Sequence, residues 1–188
     1  EVAEVCSSYS DITVLRTKQR DEMEELVRYF RQPVINAGNG PDEHPTHAMA
    51  DLYTLFKWHP ELLADAPPAE SRLTIAMAGD PETTPSLRSL LYGLAQFPRA
   101  VDRIVLFGHT NTRLAKNQRE YLEKAGLKVE TGAQLYPGKS IVGVAREILP
   151  QSDLVYICYL QPMHATRMDM LDAVNHMKPG SMVLNREV

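Results

Sequence analysis

Pro33-Val-Ile-Asn-Ala-Gly-Asn-Gly-Pro-Asp-Glu-His-Pro-Thr-His-Ala-Met-Ala-Asp-Leu-Tyr-Thr-Leu55 joins a short apolar strand, a glycine-rich loop and a capped helix, with a histidine at the joint. Val34 to Asn36 has the β-branched character of a buried strand, and Gly38 and Gly40 allow backbone angles that side chains forbid. Pro45 suits the first turn of a helix, where its missing N–H costs nothing. His44 is therefore expected at a helix N-terminus, beside free backbone N–H groups and the positive end of the helix dipole. A ligand carbonyl or phosphate oxygen is favoured there.

The same strand-then-helix pattern extends in both directions. Strands are expected near Ile12–Leu15, Val34–Asn36, Leu73–Ala78, Arg103–Phe107, Lys128–Glu130, Leu154–Cys158 and Met182–Leu184. Helices are expected near Asp21–Phe30, Pro45–Phe56, Pro85–Phe97, Thr112–Ala125, Ile141–Leu149 and about Arg167–His176. This alternation predicts an α/β fold of parallel sheets with helices on both faces. In the helix after His44, the residues Ala48, Met49, Leu52, Leu55 and Phe56 recur at helical spacing as one apolar stripe. His59 to Ser71, with three prolines and little periodicity, reads as a connection between two domains.

With 188 residues and 44% hydrophobic content, the chain is long enough for one domain or two small ones around a real core. Its net charge of −4 and dispersed basic residues argue against nucleic-acid binding. No apolar run approaches membrane-spanning length, and no signal peptide is evident. Cys6 and Cys158 are the only cysteines, so neither a disulfide framework nor a zinc site is expected, and a reducing, cytoplasmic compartment is the natural reading. Gly79-Asp-Pro-Glu-Thr-Thr84 lacks the glycine spacing of a dinucleotide site and the lysine of a phosphate loop, so no dinucleotide site is expected there. His59, His109, His164 and His176 have no metal-ligand spacing.

His44-Pro45-Thr46-His47, after its Asn-Ala-Gly loop, resembles the His-Pro-Thr-Gln motif of the aspartate/ornithine carbamoyltransferase family. The likeness continues through Asp11-Ile-Thr-Val-Leu-Arg16, Leu73-Thr-Ile-Ala-Met-Ala-Gly-Asp80 and Asp153-Leu-Val-Tyr-Ile-Cys-Tyr-Leu-Gln161, and its wording is nearer the aspartate branch. The resemblance implies a two-domain carbamoyltransferase-like fold. Residues 1–47 would close a carbamoyl phosphate-binding domain, 48–70 would form a linking helix and connection, and 71–188 would form an acceptor domain, incomplete at its C-terminus. The chain opens on Glu1-Val2 and ends on Glu187-Val188, and it is expected to be part of a longer protein.

The implied reaction transfers the carbamoyl group of carbamoyl phosphate to an amino-acid amino group, as in pyrimidine biosynthesis, with no metal or organic cofactor. The implied assembly is a homotrimer. Arg16 and His44 would polarise the carbamoyl oxygen, His47 would orient the carbamoyl group, and Gln161 would hold the acceptor. Three positions depart from the family pattern. His47 replaces a glutamine, and Pro85 and Tyr159 stand where aspartate-specific members carry arginines. Arg88, one turn beyond Pro85, and Arg167, after the later strand, are candidates to bind the acceptor carboxylates instead. The alternative is a non-catalytic carbamoyltransferase-like subunit that keeps the fold for structure or regulation.

Overall fold

The computed structural model describes residues 2–108, 112, 114–158, 172 and 174–185. The chain begins with helix α1 (Val2–Tyr9), strand β1 (Thr13–Thr17), helix α2 (Arg20–Val27), strand β2 (Val34–Asn39) and helix α3 (Pro45–Trp58). After two short 3-10 turns come β3 (Leu73–Ala78), α4 (Pro85–Leu94), β4 (Val101–Phe107), α5 (Lys116–Lys124), β5 (Val129–Thr131), α6 (Gly132–Leu135), α7 (Ile141–Ile148), β6 (Leu154–Ile157) and β7 (Met182–Asn185). β1 and β2 form a two-stranded parallel sheet, and the other strands form a five-stranded sheet in the order β5-β4-β3-β6-β7. All the pairings in the larger sheet are parallel.

The larger sheet is covered on both faces because its central strands are apolar at successive positions rather than alternate ones. Ile75 and Met77 point into one core with Leu87, Leu90 and Leu91 of α4, Leu122 of α5 and Tyr156 of β6. Ala76 and Ala78 point into the other, against Val144, Ala145 and Ile148 of α7. Helix α3 adds Ala48 and Leu55 to the first core, with Leu52 and Phe56 packed at its margin, so this helix spans the distance between the small sheet and the large one. A Cβ on Gly93 of α4 would come within 2.7 Å of Leu52, which shows how closely α3 and α4 cross.

Several boundaries differ from the sequence expectation. The helix expected from Thr112 begins at Lys116, because Thr112 and Leu114 are buried ahead of it and Ala115 is extended. Met49 leaves the predicted stripe and is 55% exposed, since the face of α3 that meets the core is only as wide as Ala48, Leu52, Leu55 and Phe56. Helix α1 and the one-turn helix α6 are additional elements that apolar periodicity does not reveal. Most of the helix expected about Arg167–His176 lies outside the described residues. Among the described residues, no helix is long and apolar enough to cross a membrane.

Candidate functional site

The joint between β2 and α3 is built by its own side chains. Asn36 accepts the Gly38 N–H through Oδ1 at 2.7 Å, and Asn39 and Glu43 close the loop reciprocally, at 3.1 Å and 2.8 Å. The Gly40 N–H donates to the Thr17 carbonyl at 3.0 Å. Gly40 has φ +62°, and a Cβ there would lie 2.5 Å from the Lys18 carbonyl oxygen. Only glycine satisfies both conditions, so the loop seats directly on the end of β1. Arg16, exposed on β1, lays its side chain over Gly38, 3.5 Å from where a Cβ would stand. The carboxyl ends of β1 and β2 thus bring Arg16 and the loop before His44 to one edge of the small sheet.

His44 caps α3 with its backbone only, and Pro45 follows in the first turn. The His44 side chain makes no capping bond, so it does not occupy the early N–H groups of α3. The His44 N–H donates to Ser89 Oγ at 2.8 Å, and the Ser89 hydroxyl in turn donates to the Glu43 carboxylate. Burial pushes the Glu43 carboxyl above its ordinary value, a trend reinforced by the charge of Asp42 and opposed by the Ser89 hydrogen bond and by Arg88. The histidine at the joint is therefore tied to α4 of the larger sheet.

A second tie is made by Arg88. Its guanidinium donates to the Asp42 carbonyl at 3.0 Å, the Asp42 carboxylate at 2.9 Å, the Pro81 carbonyl at 3.0 Å and the Glu82 carbonyl at 2.7 Å. Asp42 also pairs with Arg20 at 2.6 Å. Arg88 thereby holds the loop after β3 and the loop before His44 together. Pro85 opens α4 as its first residue. Gln161 and Arg167, like Tyr159, lie outside the described residues.

His47 stands on the first turn of α3, its ring edge-on to that of His44 with centroids 5.1 Å apart. Its Nε2 is 3.5 Å from Asp51 Oδ2, one helical turn on. The same carboxylate oxygen accepts the Tyr156 hydroxyl of β6 at 2.7 Å. Burial raises the Asp51 carboxyl, which the Tyr156 hydrogen bond and His47 pull back, and burial drives the Tyr156 phenol far up. Sequence reasoning passed over Asp51, Tyr156, Ser89 and Glu43 as site residues. The i,i+4 spacing of His47 and Asp51 was a usable signal, whereas the contacts of Tyr156 and Ser89 belong to the tertiary fold. Among the described residues, no group of three or more His, Cys, Asp or Glu is placed to hold a metal ion.

Comparison with known proteins agrees with this architecture. Residues 1–57 match the carbamoyl-P binding domain of aspartate/ornithine carbamoyltransferase. The chain is 31% identical over 155 residues to the aspartate carbamoyltransferase catalytic subunit of Staphylothermus marinus, covering 82% of this chain and 43% of that protein. It is 28% identical over 181 residues to the chloroplastic aspartate carbamoyltransferase of Arabidopsis thaliana, covering 96% of this chain and 40% of the relative. The structure of aspartate transcarbamoylase from Trypanosoma cruzi in complex with N-(phosphonacetyl)-L-aspartic acid superimposes with a TM-score of 0.72 at 26% identity, over 98% of this chain and 55% of that one. The chain spans less than half the length of these two curated relatives. With the β2–α3 joint, the two parallel sheets and the sequence likeness in agreement, the chain belongs to the aspartate/ornithine carbamoyltransferase family.

Proposed function

We propose that the protein containing this chain transfers the carbamoyl group of carbamoyl phosphate to the amino group of an aspartate-type amino acid. The observation that carries this reading is the joint itself: Arg16 at the end of β1 and His44 at the uncapped start of α3 share the carboxyl edge of one parallel sheet. A guanidinium, an imidazole and helix N–H groups are the donors needed where oxygen gains negative charge during acyl transfer. Arg16 and His44 polarise the carbamoyl oxygen, His47 contacts the carbamoyl group, and Gln161, Arg88 and Arg167 are the candidate acceptor contacts. Residues 1–47, 48–70 and 71–188 serve as carbamoyl phosphate domain, link and acceptor domain. The working assembly is a cytoplasmic homotrimer, and the relatives' names support aspartate as the first acceptor to try.

A second reading, a non-catalytic structural or regulatory subunit, is favoured by one specific observation. Arg88, the nearest arginine to Pro85, already spends its donors on Asp42, Pro81 and Glu82. The deciding experiment measures phosphate release and labelled-carbamoyl transfer by the full-length protein, with aspartate, ornithine and a pool of other amines as acceptors. Transfer to any of them supports the enzyme; no transfer by a normally assembled protein supports the second reading. In an active enzyme, unchanged acceptor affinity after replacing both Arg88 and Arg167 with alanine would remove those two residues from the acceptor site.

A further inference from the structure

Asp51 and Tyr156 stand behind His47 beside the joint, yet nothing in the proposed transfer has so far required these two residues. The geometry is that of an oriented imidazole. One carboxylate oxygen, Asp51 Oδ2, takes a hydrogen bond from Tyr156 at 2.7 Å and faces His47 Nε2 at 3.5 Å. Tyr156 is 1% exposed and belongs to β6 of the larger sheet, so the carboxylate is anchored from the core. The side chains of Asp51 and His47 retain 15% and 25% of their exposure. An imidazole whose one nitrogen faces a carboxylate keeps its proton there and presents the other nitrogen as an acceptor. Among the described residues, no hydrogen-bond partner meets His47 Nδ1. The ionisable neighbours of His47 are Asp51 and His44 on its own helix and cap and, through Asp51, Tyr156 of β6.

We propose that Asp51 and Tyr156 are positioning residues that hold His47 with its proton on Nε2, and that His47 Nδ1 is the general base for the acceptor's amino group. The proposal rests on the carbamoyltransferase reading and deepens it. The acceptor ammonium gives one proton to Nδ1, and its freed lone pair forms the C–N bond at the carbamoyl carbon. The bond from that carbon to the phosphate oxygen breaks, its electrons leaving on phosphate, and phosphate takes the second proton of the attacking nitrogen. The imidazolium formed on His47 faces the Asp51 carboxylate until it returns its proton to solvent. A glutamine at this position has no such proton-accepting capacity, so the role is tied to the histidine of this chain.

Two measurements on the full-length protein test the proposal. Long-range 1H–15N spectra of the labelled imidazoles report the tautomer of His47 without substrate. The expected pattern is a single Nε2–H form that becomes a mixture in Asp51→Ala and persists in the better-packed Asp51→Asn. A fixed Nδ1–H form, or a pattern indifferent to both substitutions, overturns the positioning role. In steady-state assays, His47→Gln is expected to lower kcat by about 100-fold while KM for carbamoyl phosphate stays within about twofold. Undiminished kcat in His47→Gln overturns the base role alone. No transfer to any acceptor by the unaltered protein overturns the carbamoyltransferase reading and the base role with it.

Discussion

At single residues, the β2–α3 joint depends on backbone geometry and on a half-buried carboxyl. Gly40→Ala places a Cβ 2.5 Å from the Lys18 carbonyl oxygen at a φ of +62°. The expected cost is about 1–3 kcal/mol of folding stability, read from urea denaturation, since strain of this kind is relieved only by moving the loop off β1. Glu43 yields a prediction with a definite sign. Its carboxyl is raised by burial, so the folded state holds a proton more tightly than the unfolded chain does. Stability from this group is complete below the ordinary glutamate value and is lost as pH rises through the raised one. Glu43→Gln, which cannot ionise, should therefore gain stability relative to the unaltered protein between pH 4 and 7. Parallel denaturation series across that range check it; a constant difference between the two proteins would contradict the burial argument.

At the level of elements, α3 and α4 meet through polar ties as well as packing. Arg88 makes four hydrogen bonds to two loops that belong to different sheets. Arg88→Ala should cost about 2–4 kcal/mol, because it leaves the half-buried Asp42 carboxylate short of a partner along with three carbonyls. Arg88→Lys should recover little of this, as one ammonium cannot reach both loops in the fork geometry of a guanidinium. Midpoints of chemical unfolding distinguish the outcomes, and full rescue by lysine would show that charge alone matters. The elements themselves were legible in advance: all seven strands expected from the sequence are present within a few residues, with Leu73–Ala78 at the expected ends. What misled the reading was local. The Thr112 region carries helical composition but is taken up by burial, and Met49 has the right spacing but the wrong side of the contact.

For the whole molecule, the testable consequence is assembly. The full-length protein is expected to sediment as three chains, measured by analytical ultracentrifugation, and a monomer would set aside the trimer proposal. Exposed Val2, Val5, Tyr9, Ile12 and Val14 gather on the first elements of the chain, around the two-stranded sheet. A sheet of two strands has little apolar surface of its own to bury, which is why this region leans on α3 and the larger core.

The sequence by itself determined the parallel α/β architecture, the glycine-permitted turn and the helix start at Pro45. Each follows from short-range physics: buried strands read as continuous apolar runs, positive φ selects glycine, and a proline fits the first helical turn. It also marked Arg16 and His44, because strand ends and helix starts are where an open sheet presents its chemistry, whereas His47 was marked by the resemblance to the family's His-Pro-Thr-Gln motif. Only the tertiary structure decided who their partners are. Ser89 reaches His44 across 45 positions, Arg88 reaches Asp42 across 46 and Tyr156 reaches Asp51 across 105. No periodicity encodes such pairings, since they depend on how two sheets and the helix between them come to rest against each other. That packing turns a candidate acceptor arginine into a brace and the carboxylate one turn beyond His47 into one anchored from the core.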